Sequence, residues 1–316
     1  MTYKLPVDTV ILAHGDADGV TSAAIAKSIY RDADVYFTHP VGLLGDLREF
    51  ALGKELVIIQ DIAIDERNLE ELLQLLGSMD SRIIYIDHHP DNGALDRLRS
   101  IGVTVVHEEG ASAAELSYRF LNPPREMSRV AVYGAIGDHM MSTPWYLEML
   151  DTWDVKTLFF EAGTLVLALE AIGRNYEEKR KLVEYLAENK LPSQDPQLVE
   201  KAALQSRLNE ELRLRVAKEA TVLGNIAYII DPGGSLGTAA FYAKVEKNVK
   251  VGVAVEKRKD LCVMSLRSTS QVDLNTLLRK IVVRLGGHGG GHRQAAGARI
   301  PCSNLGSFLE ELAKHV

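Results

Sequence analysis

Three short apolar runs set the frame of this chain: Val10-Ile11-Leu12-Ala13, Leu56-Val57-Ile58-Ile59 and Ile83-Ile84-Tyr85-Ile86. Runs so brief and so uniformly apolar read as parallel strands covered on both faces, because a strand with one wet face would alternate polar and apolar residues. Between them the apolar positions change to helical spacing, over Val20 to Tyr30, Gly42 to Leu52 and Asp65 to Leu76. In the last of these, Leu69, Leu72, Leu73 and Leu76 form one stripe behind Asp65 as cap. Val35 to Phe37 and Val103 to Val106 add strands, and Leu95 to Ser100 a short helix. Ser112 to Leu121 is a helix in which Ser112 and Glu115 have capping-box spacing. The alternation predicts an α/β fold: a mostly parallel sheet with helices on both faces.

From Arg129 the pattern turns helical, over Arg129 to Met141 and Leu147 to about Leu191, with a break at Pro192-Ser193-Gln194-Asp195-Pro196. The charge-laced stretch Gln197 to Leu223 reads as a helical connector with a solvated face. After Gly224 the strands are grouped, at Ile226–Ile230, Val249–Val255 and Leu261–Leu266, and a helix follows over Leu274 to Leu285. That grouping predicts a smaller α+β domain. The expected division is 1–195, a helical linker 196–223, and 224–316.

Composition adds little except in its charge. The 316 residues suffice for two domains, and no apolar run approaches the ~20 residues of a membrane span. The start, Met1 to Pro6, has no signal-peptide pattern. Two cysteines, Cys262 and Cys302, cannot make a disulfide framework, so a reducing, cytoplasmic setting is expected. The net charge of −7 hides an asymmetry. Leu223 to Val316 holds 13 lysines and arginines against 7 carboxylates (+6), and the remainder 23 against 36 (−13). An acidic first part suits cations and a basic last part an anionic substrate.

The chemistry sits where the apolar runs end. The first runs into His14-Gly15-Asp16-Ala17-Asp18-Gly19, the second into Gln60-Asp61, and the third into Asp87-His88-His89-Pro90. In open α/β sheets ligands bind at the carboxyl ends of the strands. Taken singly, Asp18-Gly19 is a turn, His88-His89 a cap, and Asp138 the partner of an arginine. Taken together, charged groups directly behind buried strands are costly unless paired or metal-bound. Carboxylates and imidazoles without thiolate suit Mn²⁺ or Mg²⁺ better than structural zinc. Two such ions ~3.5–4 Å apart would activate water and clamp an in-line displacement at phosphorus.

These motifs, His14-Gly15-Asp16-Ala17-Asp18-Gly19, Asp61, Asp87-His88-His89 and Gly137-Asp138, resemble the four successive motifs of the DHH phosphoesterase superfamily. Gly289-Gly290-Gly291-His292-Arg293-Gln294-Ala295-Ala296-Gly297 is similar to the glycine-histidine signature of the DHH-associated C-terminal domain. The resemblance implies a binuclear manganese phosphoesterase, with Mg²⁺ as the alternative metal. His14 and Asp16 would hold one ion, Asp18, His88 and Asp138 the other, with Asp61 bridging. Asp87 would orient the histidines, and His89 would act beside the scissile phosphate. The fourth motif departs from the Thr-Asp-Thr-Gly context of oligoribonuclease-like members and looks more like an archaeal RecJ-like branch. His139 is expected to pack.

In the second domain, the run Gly286 to Gly291 reads as a loop able to cradle phosphate through its backbone N–H groups. His288, His292 and the glycines 289, 290 and 291 line it. Ser265-Leu266-Arg267-Ser268 resembles the family's short Arg-Ser motif, so Arg267 and Ser268 are expected to grip a substrate phosphate. The working picture is a cleft whose closure takes part in selection. No basic strip interleaved with aromatic rings is evident, which favours short substrates over long single strands. The expected partner is thus a short oligonucleotide or phosphorylated nucleotide, with a homodimer left open. Competing readings are a RecJ-like exonuclease on longer DNA or RNA, a cyclic dinucleotide phosphodiesterase, and a non-catalytic nucleotide-binding module. A family II inorganic pyrophosphatase ranks low, since its first motif has wider spacing.

Overall fold

A computed structural model describes residues 7–91 and 93–316; the stretch Met1 to Pro6, read above for a signal, lies outside them. The chain divides into two compact units, Met1–Ala203 and Leu204–Val316, and the division falls inside one long helix. No helix among the described residues is long and apolar enough to cross a membrane.

The first unit alternates as its sequence predicts: β1 (Thr9–His14), α1 (Ala17–Ile29), β2 (Asp34–Thr38), α2 (Leu43–Phe50), β3 (Leu56–Gln60), α3 (Leu69–Ser78), β4 (Arg82–Asp87), α4 (Ala94–Ser100), β5 (Thr104–His107) and α5 (Ala113–Leu121). All five strands are parallel, in the order β2-β1-β3-β4-β5. The uninterrupted apolar runs follow from a sheet covered twice, since successive side chains point to opposite faces. Ile11, Ala13, Ile58, Ile84 and Ile86 enter a core with α1, α5 and the later helices. Val10, Leu12, Val57, Ile59, Ile83 and Tyr85 enter another with α2, α3 and α4.

The helical stretch resolves into α6 (Ser128–Gly137), α7 (Pro144–Thr152), α8 (Val155–Ile172), α9 (Tyr176–Ala187) and α10 (Pro196–Glu219). Two boundaries differ from the sequence reading. The α6 helix stops at Gly137 because His139 takes a left-handed conformation (φ 60°) and the Met140 amide turns back to the Ala135 carbonyl at 2.8 Å. The α10 helix does not run to Leu223: β6 (Thr221–Leu223) pairs antiparallel with β7 (Ile226–Ile230), folded back at Gly224 (φ 60°). The Ser112 cap is half a capping box. Its hydroxyl accepts from the Glu115 amide at 3.1 Å, whereas the Glu115 carboxylate goes to Thr143 and Arg119.

The second unit continues with α11 (Leu236–Glu246), β8 (Val251–Arg258), β9 (Leu261–Ser268), α12 (Leu274–Arg284), β10 (His288–Gly291), β11 (Ala295–Pro301) and α13 (Leu305–His315). Its six-stranded sheet has the order β10-β11-β9-β8-β7-β6, with β7 and β8 parallel across α11. The α11 helix carries no amphipathic stripe legible in sequence, because small residues press it onto the sheet. A Cβ on Gly252 of β8 would lie 2.6 Å from the Lys244 backbone nitrogen. Cys262 and Cys302 form a disulfide (Cα–Cα 4.9 Å). The two cysteines therefore no longer argue for a reducing, cytoplasmic compartment.

Candidate metal centre

The turn between β1 and α1 carries three of the predicted residues. Asp16 caps α1, its Oδ1 accepting from the Gly19 amide at 3.1 Å, and its Oδ2 lies 2.8 Å from His14 Nδ1. Asp18 is buried in the first turn of α1. Its two oxygens accept from the Ala113 and Ala114 amides at 2.6 and 2.9 Å, so it also caps α5. Such approach requires glycines on two sides. A Cβ on Gly19 would sit 2.6 Å from the His14 carbonyl carbon, and one on Gly134 of α6 would sit 2.8 Å from Asp18 Oδ1.

Asp61 follows β3 in a left-handed conformation (φ 58°), its amide donating to the Ile86 carbonyl at 2.9 Å. That backbone places its carboxylate between two imidazoles. Oδ1 is 3.3 Å from His88 Nε2, and Oδ2 is 3.8 Å from His14 Nδ1. His88, at the end of β4, is fully enclosed, and the same Nε2 lies 3.4 Å from Asp138 Oδ2 and 3.7 Å from Asp18 Oδ2. Among the sets that meet metal-ligand spacing are His14–Asp16–Asp61 and Asp18–Asp61–His88, with Asp61 in both. Asp138, at the C-terminus of α6, joins the second through His88.

The electrostatics are those of a site short of positive charge. Burial, then the neighbouring Asp138, holds Asp18 well above the ordinary carboxylate range. Burial and the charges of Asp16, Asp18 and Asp138 do the same to Asp61. Asp61 Oδ2 is buried without a hydrogen-bond partner, a state that proteins avoid unless an ion or water completes it. Loss of surrounding water also works to raise Asp16, although its side chain stays 49% exposed, but the His14 charge and hydrogen bond outweigh it and hold the carboxyl low. A divalent cation answers each of these strains, and the donor set suits a hard one.

Asp87 and His89 form a separate pair. Asp87 Oδ1 lies 2.8 Å from His89 Nδ1, and Oδ2 accepts from the His89 amide at 3.2 Å. Burial works against a charged His89, but the Asp87 charge and hydrogen bond prevail and raise its pKa to about 9. Behind it, the Tyr85 hydroxyl is held by the Ile62 carbonyl. His139, expected to pack, is exposed instead, since its left-handed backbone carries it off the end of α6.

In the second unit the glycine run is not a loop. Residues 288–291 form β10, paired with β11 from His288↔Arg299 to Gly291↔Ala296. Its glycines serve close packing: a Cβ on Gly289 would lie 2.8 Å from the Gly297 carbonyl, and one on Gly290 would lie 3.2 Å from Asn275 Oδ1 of α12. Paired strand backbone does not form the concave nest expected of this segment. His292 closes the hairpin, its amide donating to Ala295 at 2.8 Å, while His288 is exposed. Arg267, near the end of β9, donates from Nη1 to Ser265 Oγ and the Leu266 carbonyl, both at 3.0 Å, and its Nη2 approaches Gly237 of α11. Ser268 is buried, and its hydroxyl is committed to the Val272 carbonyl at 2.9 Å.

Three supports of the first site escaped sequence reasoning. Lys179 of α9 donates to the Gly15 carbonyl. His107, at the end of β5, has Nε2 2.8 Å from the His89 carbonyl. Buried Glu115 accepts from Thr143 Oγ1 at 2.7 Å, fastening α5 to the start of α7. Of these, His107 had a local signal as a histidine directly behind an apolar strand, and Glu115 had one only as a capping-box residue, not as the partner of Thr143.

Comparison with known proteins agrees with this geometry. The profile of the DHH family, N-terminal domain, matches residues 8–150, and that of the DHHA1 domain matches residues 224–316. No curated protein matches by sequence. Among solved structures, the chain is similar to exonuclease RecJ bound to manganese (18% identity, 98% of this chain and 90% of that one, TM-score 0.62). It is also similar to the pGpG-specific phosphodiesterase PggH from Vibrio cholerae (16%, 98% and 98%, TM-score 0.60). A third is the DHH domain of a member of a family of ribosomal proteins (15%, 98% and 86%, TM-score 0.68).

Proposed function

The chain belongs to the DHH family of metal-dependent phosphoesterases and ends in a DHHA1 domain, and from that premise we propose that it hydrolyses short oligonucleotides or small phosphorylated nucleotides with two divalent ions, Mn²⁺ first. The observation that carries the two-ion reading is Asp61, one buried carboxylate with an oxygen toward each imidazole. His14 and Asp16 would hold one ion, and Asp18, His88 and Asp138 the other. The orphaned Oδ2 of Asp61 and the mutual repulsion of these carboxyls fit such occupancy.

Bound ions in such a site polarise the phosphoryl oxygens and activate the attacking water. The protein's own groups do the rest. Asp61 fixes the spacing of the two ligand sets. The amides of Ala113 and Ala114 hold Asp18 in place, as supporting donors do for metal ligands generally. Asp87 orients the His89 ring through its Nδ1 and amide, so that the imidazole is positioned to donate to a phosphoryl or leaving oxygen. In the DHHA1 domain, Arg267 and His292 are proposed to bind a second part of the substrate, the guanidinium pairing with phosphate. The acidic first part of the chain and the small number of basic donors in the second favour short substrates. Two of the similar folds are named for action on nucleotide phosphodiesters, which supports this substrate class.

The deciding experiment is a Mn²⁺-dependent panel: a dinucleotide, RNA and DNA of ~20 nucleotides (beyond the footprint of one single-strand-binding module), 3′-phosphoadenosine 5′-phosphate, and cyclic di-AMP. Turnover of the dinucleotide at least as fast as of the long strands, abolished by chelator, is the expected result. No turnover of any member, or turnover that survives chelation, refutes the proposal. Arg267→Ala should weaken dinucleotide binding without weakening Mn²⁺ binding.

A further inference from the structure

The α9 helix lies in the stretch to which the sequence assigned no chemistry, yet it sends Lys179 to the β1–α1 turn. The residue is only 6% exposed. Its ammonium donates to the Gly15 carbonyl, between His14 and Asp16, and lies 5.9 Å from the centre of the Tyr176 ring. Nζ is 3.4 Å from the point where a Cβ on Gly15 would stand, so the glycine leaves room for it. Among the described residues no carboxylate forms an ion pair with it within 4.0 Å. Burial pushes its pKa below the ordinary lysine value, against the more distant pull of Asp16.

A buried ammonium without an adjoining anion is an expensive arrangement. Such a group also has three donors, and one carbonyl does not use them. A lysine serving only to staple a turn would be as well replaced by a neutral donor. A positive charge beside a proposed phosphoryl-transfer centre has a plain use, because phosphoryl oxygens bring the missing negative charge.

We propose that Lys179 is a substrate-binding residue of this site: held beside the His14–Asp16 turn by its bond to the Gly15 carbonyl, it takes a phosphoryl oxygen of the substrate or of the product. The inference rests on the phosphoesterase reading given above. It carries a sign that a structural role does not. Removing a cation beside His14 and Asp16 leaves Mn²⁺ affinity unchanged or tighter, while phosphate affinity falls. Loss of a mere staple would weaken Mn²⁺ binding through disorder of the turn.

The test uses the full chain, with Lys179→Met and Lys179→Arg, and calorimetric titration of Mn²⁺ into metal-free protein and of inorganic phosphate into Mn²⁺-loaded protein. Lys179→Met is expected to bind phosphate about ten- to hundredfold more weakly, the worth of a charged hydrogen bond. Its Mn²⁺ affinity should be no weaker than wild type, and Lys179→Arg should recover most of the phosphate binding. Unchanged phosphate affinity, or a parallel loss of Mn²⁺ affinity, overturns the proposal. Should Lys179→Met fail to fold, the Nζ resonance of Lys179 in the loaded wild-type protein decides: it shifts on adding phosphate, and no shift overturns the assignment. If wild-type protein hydrolyses dinucleotide and binds phosphate but Lys179→Met binds phosphate equally well, only the role of Lys179 falls. If wild-type protein does neither, the phosphoesterase reading falls with it.

Discussion

Replacing Asp61 by asparagine separates the proposed metal-bridging role from a structural one, because the two predict opposite signs. Asparagine tolerates the left-handed backbone (φ 58°) that Asp61 adopts, whereas alanine there would add strain of about 1–2 kcal/mol and blur the result. In metal-free protein the Asp61 carboxyl has a folded-state pKa well above its ordinary 3.8, first by burial and then by the surrounding carboxylates. A carboxyl raised in this way penalises the fold once pH exceeds the unfolded value. The penalty is complete above the folded pKa, so relieving it stabilises. Metal-free Asp61→Asn should therefore melt no lower than metal-free wild type at neutral pH. Metal should act in reverse. An ion at a hundred times its dissociation constant contributes about 2.7 kcal/mol, or roughly 5–10 °C per ion for a unit of this size. Differential scanning calorimetry with and without Mn²⁺ should show that rise in wild type and the loss of most of it in Asp61→Asn. A variant that melts lower without metal and keeps the whole Mn²⁺ shift would refute both the electrostatic and the bridging argument.

Other expectations follow from single contacts. In metal-free protein His89 should titrate near 9 by NMR, and Asp87→Asn should bring it back toward 6.5. The stabilisation that the raised His89 pKa contributes is full below 6.5 and is lost as pH rises through about 9, so an unshifted His89 would disprove the pairing. Gly134→Ala forces a Cβ to 2.6 Å from that of Ala114 and 2.8 Å from Asp18 Oδ1. It should cost about 1–3 kcal/mol in urea unfolding and weaken Mn²⁺ binding, and wild-type values on both would contradict the packing. Oligonucleotide affinity should fall with salt at a log–log slope of about 1.4–2.1, equivalent to two or three phosphates at about 0.7 each. A slope above about 4, with processive degradation of long strands, would favour the RecJ-like exonuclease reading instead.

Local pattern made the frame of the first unit legible. An apolar run that cannot alternate belongs inside a doubly covered sheet, and charges placed directly behind β1, β3 and β4 belong at its carboxyl edge. Hence His14, Asp16, Asp18, Asp61, Asp87 and His88 were named from sequence and stand at the ends of those strands or in the turns that follow them. The second unit was legible only in part. Short β6, the glycine-bearing β10, and α11 with its small residues lack the periodicities by which strands and helices announce themselves.

What tertiary structure alone decided is which atoms meet. Nothing in the spelling of Gln60-Asp61 says that its backbone turns left-handed and divides one carboxylate between His14 and His88. Nor does Ala113-Ala114 say that its amides hold Asp18, ninety-five residues away in the case of Ala113. The same holds for Lys179, whose spacing reads as an ordinary charged face of α9 until the fold lays that face against Gly15. Secondary structure follows from periodicity over a few residues, which a sequence carries. Burial, the pairing of distant charges and the close approach that Gly19 and Gly134 permit arise only when separate elements pack, and those contacts are what gather a set of acids and histidines into a candidate metal centre.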